Sequence, residues 1–268
     1  MQITIKTSVG DLNGLHYHHF PGRPTIVFLH ESLGCAELWR KFPEQLGSIT
    51  NCNVLIYDRL GYGKSGPFKT TIRSIDYLEI EADILLEVLE SCTIDDAILF
   101  GHSDGGSIAL LFGAMYPSKA LGIITEGAHI FFEEEGREGI RHSINAYANT
   151  DLKARLTKYH GDKTDNVFWI WANTCLSNSF GEWNIEHYMK KITCPVLVIQ
   201  GEKDEYGTLK QVEGIISQVQ GVATKLVLPD IKHTPHKEAS EAVLETSKGF
   251  IVSVLSGNQP GHSEMVRP

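Results

Sequence analysis

The chain has 268 residues, 42% hydrophobic and 21% charged, enough to bury a substantial core and in keeping with one domain that carries an insertion. Its formal net charge of -9, with no dense lysine or arginine run, offers no footprint for nucleic acid and would repel an anionic membrane surface. Neutral or cationic small-molecule partners are favoured over anionic ones.

The chain opens on Met1-Gln2-Ile3-Thr4-Ile5-Lys6, which is not a basic start followed by an apolar stretch, and no segment reaches the length of a transmembrane helix. The expectation is a cytoplasmic protein without membrane partners, a monomer or homodimer. Gln2 to Thr7 and Leu15 to Phe20 flank Gly10-Asp11-Leu12-Asn13-Gly14 and read as a hairpin. Short apolar runs follow at Thr25 to Leu29, Val54 to Tyr57, Ala97 to Phe100, Leu121 to Ile124, Pro195 to Ile199 and Lys225 to Leu228. They do not alternate, which is the pattern of strands buried on both faces of a parallel sheet. Helical patterns at Ile75 to Leu89, Ser107 to Tyr116 and Leu209 to Val219 separate them, so the expected class is α/β, with helices on both faces of a mostly parallel eight-stranded sheet.

The rhythm breaks between Thr125 and Pro195, where helical patterns continue without a strand run for longer than a crossover requires. Residues 131–191 are expected to form an inserted helical cap, with 1–130 and 192–268 as the core. The cap's aromatics are core formers or pocket walls; Phe132, Trp169 and Trp171, with Glu31 and Glu126, are the candidate pocket residues. The polar tail from Gly257 to Pro268 reads as a loosely held terminus. Five scattered cysteines (Cys35, Cys52, Cys92, Cys175, Cys194) without a C-x-x-C pair indicate reduced thiols, neither a disulfide framework nor a zinc knuckle. His16, His18 and His19 lack a carboxylate or cysteine at ligand spacing, and alternation on a hairpin accounts for the first two, so no metal is expected.

The strongest local signal is Gly101-His102-Ser103-Asp104-Gly105, set directly after one apolar run and before a helical pattern. A serine on so tight a strand-to-helix turn is lifted out of the sheet, and small residues two before and two after it let strand and helix approach. The helix N-terminus beyond it favours an oxyanion. Here the chain resembles the α/β-hydrolase family over nearly its whole length. His30-Glu31-Ser32-Leu33-Gly34 resembles that family's oxyanion loop, and Asp58-Arg59-Leu60-Gly61-Tyr62-Gly63-Lys64-Ser65 its D-x-x-G-x-G-x-S turn. The resemblance implies an acid at Asp204, in Gly201-Glu202-Lys203-Asp204, and a base at His233, in the loop from Leu228 to His236. It implies an oxyanion hole from the backbone N–H groups of Ser32 and Asp104, and no cofactor.

Chemistry asks the same of these positions. A serine hydroxyl needs an imidazole to take its proton, and the imidazole needs a carboxylate to fix its tautomer. The order Ser103, Asp204, His233 is the one expected on this fold. His236 competes with His233 for the base, and Glu202, Glu205 and Glu126 with Asp204 for the acid; the family pattern favours His233 and Asp204. His102 reads as a packing residue. Glu31 stands where the family commonly has glycine, as a loop brace or a contact for a cationic group.

A serine at 103 argues against relatives whose nucleophile is aspartate. The expected reaction is hydrolysis of an ester or lactone through an acyl-enzyme, on a bulky, neutral or cationic substrate such as a macrolide lactone. Carbon–carbon hydrolysis of anionic ring-fission products is the alternative, with Arg137, Arg141 and Arg155 available among many glutamates. A ligand receptor on the same fold, with little turnover, is the reading from another class.

Overall fold

A strand buried on both sides supplies an apolar side chain to each face in turn, which is why its sequence runs apolar without a break. The computed structural model describes residues 1–257 and joins eight strands in one sheet: β1 (Gln2–Thr7), β2 (Gly10–Tyr17), β3 (Thr25–Leu29), β4 (Asn53–Tyr57), β5 (Ala97–His102), β6 (Ala120–Glu126), β7 (Val196–Gly201) and β8 (Ala223–Leu228). Their spatial order is β1-β2-β4-β3-β5-β6-β7-β8; β1 and β2 run antiparallel to their neighbours, and β3 to β8 pair in parallel. The helices are α1 (Phe42–Thr50), α2 (Tyr77–Ser91), α3 (Asp104–Met115), α4 (Glu134–Asn149), α5 (Leu152–His160), α6 (Thr164–Cys175), α7 (Glu186–Met189), α8 (Leu209–Gln218), α9 (Pro235–Glu238) and α10 (Ser240–Ser256). Beyond Gly257, the polar tail lies outside the described residues.

The alternation divides the core in two. Val27, Leu29, Leu99, Ile123 and Val198 face α2 and α3, joining Leu85 and Ile108. Ile26, Phe28, Phe100, Ile124 and Leu197 face the other way, against Phe42 and Leu46 of α1 and Phe250 and Ile251 of α10. Each such side chain contributes about 1.5–3 kcal/mol on burial. The chain runs outward from β3 to β4 on one side and to β5 on the other, and a crevice at the carboxyl ends of strands forms where the order reverses in this way.

The hairpin differs from expectation. Its turn is Ser8-Val9, and Gly10 through Gly14 belong to β2, paired in register from Thr7 with Gly10 to Gln2 with Leu15. Gly10 takes the turn's strained angle (φ 134°), whereas Gly14 is a strand residue paired with Ile3 and Tyr57, glycine there because a side chain would meet Ile5 and Ile3. All five cysteines are free thiols, with Cys35, Cys52, Cys175 and Cys194 buried. Among the described residues no helix is long and apolar enough to cross a membrane.

Between β6 and β7 the chain folds into α4, α5, α6 and α7. The ends of this segment are tied together, Phe131 bridging Asn184 and the Ile185 N–H donating to the Ile130 carbonyl at 2.7 Å. Its far side is fastened to two core loops. Nδ1 of buried His160 accepts the Gly63 N–H at 3.0 Å, which leaves Nε2–H to donate to the Leu33 carbonyl at 3.0 Å. Lys163 Nζ donates to the carbonyls of Tyr62 (3.2 Å), Gly63 (2.8 Å) and Ser65.

The His160 clasp demands a neutral ring, and burial lowers its pKa from 6.5, with Lys163 adding to the effect. The unfolded chain therefore binds the proton first, and stability falls as pH drops from 6.5 towards the lowered value. His30, fully buried, acts in the same direction, its pKa pushed down to about 3 by burial and by Arg59. His160→Gln, whose amide can both accept and donate, is expected to shallow the loss of stability between pH 7 and pH 5. The slope removed is at most about 1.4 kcal/mol per pH unit. Urea midpoints at the two pH values measure it; a variant slope equal to that of the parent would refute the clasp.

Candidate active site

The turn from β5 to α3 is the tightest place in the fold. Ser103 holds φ 55° and ψ -121°, a conformation that costs a non-glycine residue of order 1–3 kcal/mol, and it persists because its surroundings fix it. Its N–H donates to the Glu126 carbonyl at 2.8 Å, and its carbonyl accepts from Gly106 and Ser107. A side chain at Gly101 would overlap the Gly105 carbonyl, and one at Gly105 would overlap the Leu29 carbonyl. The two glycines thus let β5, α3 and the end of β3 meet backbone to backbone. Asp104 opens α3, where the first N–H groups have no partner within the helix. Ser32 follows β3 on the same rim.

Two further loops bring in the candidate acid and base. Asp204 follows β7 and His233 follows β8, and a side chain at Gly201 would overlap the Lys232 carbonyl, so these loops also close without a gap. His233 Nδ1 lies 2.9 and 2.8 Å from the two oxygens of Asp204. The carboxylate also accepts the Tyr206 N–H at 2.9 Å and Gln200 Nε2 at 2.7 Å. Burial alone would raise the Asp204 pKa; His233, and then the Tyr206 N–H, outweigh it and hold the carboxyl below its ordinary value. Glu202 and Glu205 are exposed and take no part. With Nδ1 engaged, Nε2 is the ring nitrogen left for Ser103, which lines the same cavity as His233.

Beneath Ser103, Asp204 and His233 lies a second polar layer. Glu126 is not a pocket residue and not an alternative acid. It shares a sheet face with Ile124, two residues earlier, and that face is covered by α1 and α10. There it is fully buried, accepting both the backbone N–H and the ring Nδ1 of His236. His236 packs against Trp39 at 4.5 Å between ring centroids. His102 sits between these residues and His233, its Nε2 donating to the His233 carbonyl at 2.7 Å and its Nδ1 facing Glu31 Oε2 at 3.5 Å. Glu31 lies over its own loop against Gly34 and faces His102, and it also lines the cavity. Candidate metal-ligand atoms of His102, Glu126 and His236 lie within 4.8 Å of one another, but all three residues are buried and bonded to protein groups.

The cavity above Ser103 has a volume of about 110 Å³. Glu31, Phe132 and Trp171 line it. Trp169 does not: it stands two residues from Trp171 on α6, on a different helical face, and is 40% exposed. The cavity also takes in Tyr77, His129, Phe180 and Tyr206, and the side chain of Asp104. Asp104 Oδ2 accepts from the Ser32 hydroxyl and from Tyr77 OH at 3.0 Å, with Arg59 Nη2 at 3.7 Å; Oδ1 faces His129 Nε2 at 3.7 Å. Burial opposes its charge, yet His129 and Arg59 hold its carboxyl well below the usual range. The one signal in the sequence for these residues is position, His129 lying just past the end of β6 and Asp104 just past the serine. Arg137, Arg141 and Arg155 pair with Glu134 or Asp151, and no lysine or arginine lines the cavity among the described residues.

Comparison with known proteins agrees with this architecture. Serine hydrolase BPHL of Mus musculus is 27% identical over 235 residues, covering 84% of this chain and 79% of its own. A 2-hydroxy-6-oxononadienedioate/2-hydroxy-6-oxononatrienedioate hydrolase of Paraburkholderia phymatum is 24% identical over 222 residues, covering 72% of this chain and 75% of its own. A carboxylesterase structure from Nitrososphaera gargenis superposes with a TM-score of 0.78 at 18% identity, over 95% of this chain and all of that one. The family model for the alpha/beta hydrolase fold matches residues 24–167, the half of the chain that holds the oxyanion loop, the glycine turn and the serine elbow, and the chain belongs to that family.

Proposed function

We propose that the protein is a serine hydrolase of carboxylic esters or lactones, acting through an acyl-enzyme on Ser103. The observation that carries this reading is the hydrogen-bonded pair of His233 and Asp204 in a cavity shared with a strained Ser103. Ser103 Oγ attacks the acyl carbon while His233 takes its proton, and the oxygen that becomes anionic is held by the N–H groups of Ser32 and Asp104. The alkoxide leaves with the proton from His233. Water, deprotonated by the same ring, then attacks the acyl carbon and releases the acid and Ser103.

Charge narrows the substrate. The carboxylates of Glu31, Asp104 and Glu133 line the cavity, and no lysine or arginine does so among the described residues. A neutral group or an ammonium is admitted at less cost than an anion, which would be desolvated against like charge. The relative from Paraburkholderia phymatum supports carbon–carbon hydrolysis as a second reading, but that enzyme's substrate is named as a dioate, and among the described residues this cavity offers such an anion no lysine or arginine. A macrolactone bearing an amine satisfies the charge and exceeds about 110 Å³, so a small ester or lactone is favoured over it unless the cap moves.

A fluorophosphonate is expected to label Ser103, with no labelling in Ser103→Ala, and generic esters to turn over repeatedly. Asp204→Asn is expected to lower kcat about 10⁴-fold, the scale known for loss of the carboxylate from such a triad. A single turnover followed by arrest would instead indicate a ligand receptor. For p-nitrophenyl esters that differ only in acyl charge, kcat/KM is expected to be about tenfold or more higher for the ammonium form than for the carboxylate form. That factor corresponds to about 1.4 kcal/mol. The preference should shrink in Asp104→Asn and at high salt; fastest cleavage of the anionic ester would reverse the assignment.

A further inference from the structure

The loop that carries Ser32 and the loop that carries His233 follow different strands, β3 and β8, separated in the sheet by β5, β6 and β7. Their relative position decides whether the oxyanion donor and the base serve the same reacting carbon. A side chain bridge spans them. Glu31 turns back over its own loop, its carboxylate occupying the space that a side chain on Gly34 would take, while the Gly34 N–H donates to the Glu31 carbonyl at 3.0 Å. From there Oε2 faces His102 Nδ1 at 3.5 Å, and His102 Nε2 meets the His233 carbonyl at 2.7 Å. A carbonyl oxygen accepts only, so Nε2 carries a proton.

We propose that Glu31 and His102 are positioning residues, an ion pair that ties the oxyanion loop to the backbone of the catalytic histidine. The inference rests on the triad reading above. With both ring nitrogens protonated, His102 is a buried cation held between Glu31 and the carbonyl dipole of His233. Burial disfavours that charge, but Glu31 and then Glu126 outweigh burial and raise the His102 pKa above its ordinary value, with Lys237 opposing them. Glu31 is held well below the carboxylate range in spite of its own burial, by His102 first and then Lys237. The ring of His102 packs 5.0 Å from that of His233 and 5.3 Å from that of His236, and Glu126 fastens the loop three residues beyond His233 by accepting the His236 N–H. His233 is therefore gripped at its own carbonyl by His102, and its loop is gripped again at His236. Only the first grip reaches the oxyanion loop.

The test compares the parent protein, Glu31→Gln, His102→Gln and the double variant. Two rates are measured for each: turnover of a neutral p-nitrophenyl ester, and phosphonylation of Ser103 by a fluorophosphonate. Each single variant is expected to lose about ten- to hundredfold in kcat and in labelling rate, the scale of a small misplacement of reacting groups, with KM within about twofold. The double variant is expected to be no slower than His102→Gln, because one bridge is broken once or twice with the same result. Singles that keep both rates within about twofold, or losses that multiply in the double variant, overturn the bridge. If His102→Gln fails to fold, nitrogen NMR of the parent across a pH titration decides: His102, assigned through its contacts with the rings of His233 and Trp39, is expected to take up its second proton at a higher pH than a free imidazole, and a midpoint at or below the ordinary histidine value overturns the proposal. Should the parent cleave no ester, the hydrolase reading falls, while labelling and the His102 protonation state still decide this one.

Discussion

Backbone meets backbone at Gly101 and Gly105, and most of the site follows from that contact. Because neither residue has a Cβ, the end of β5, the start of α3 and the end of β3 close to a separation that no side chain would permit. The chain between them has a single residue in which to reverse, so Ser103 is forced to positive φ and its hydroxyl is raised above the strand ends. The same closeness puts the first free N–H of α3 beside Ser32. Ser103 and the start of α3 are therefore one construction, and the local strain is offset by the apolar packing of Phe28, Phe100 and Ile108 around it.

Charge inside the protein is arranged in closed sets. Asp204 is matched by His233, Glu126 by His236, Glu31 by His102, and Asp104 by Arg59, which also faces Glu81 at 3.7 Å. An isolated ion in these places would cost several kcal/mol, and removal of one partner would leave the other unmatched. Three of the sets stand under or beside the serine turn and the fourth lines the cavity wall. Of the carboxylates that line the cavity, Glu31 and Asp104 belong to such sets, while Glu133 lies outside them.

The cap belongs to the same system through its fastenings. His160 and Lys163 reach from the helical insertion to the carbonyls of Leu33, Tyr62, Gly63 and Ser65, so the cap is bonded both to the oxyanion loop and to the glycine turn behind it. Phe132 and Trp171, which line the cavity, belong to the same helical segment that is fastened to the loop after β3.

The sequence by itself determined the sheet, its strand runs and the elbow, because those features are local: an unbroken apolar run, a glycine two residues either side of a serine, a helix pattern starting at once. The family resemblance pointed to Asp204 and His233, each just after an apolar run read as a parallel strand, and the structure brings their side chains within hydrogen-bond distance. Glu126 and Trp169 were misplaced as pocket residues for the same kind of reason. Their side-chain direction is set by phase, Glu126 by the alternation it shares with Ile124 and Trp169 by the helical step that parts it from Trp171. The hairpin turn, too, was decided by pairing between β1 and β2 and not by the local density of glycine. Only the tertiary structure could reveal the Asp104 carboxylate in the cavity, His129 opposite it, and the bridge from Glu31 through His102 to His233. These are contacts between residues far apart in the chain, and no local pattern encodes a distance that the packing of five separate strands creates.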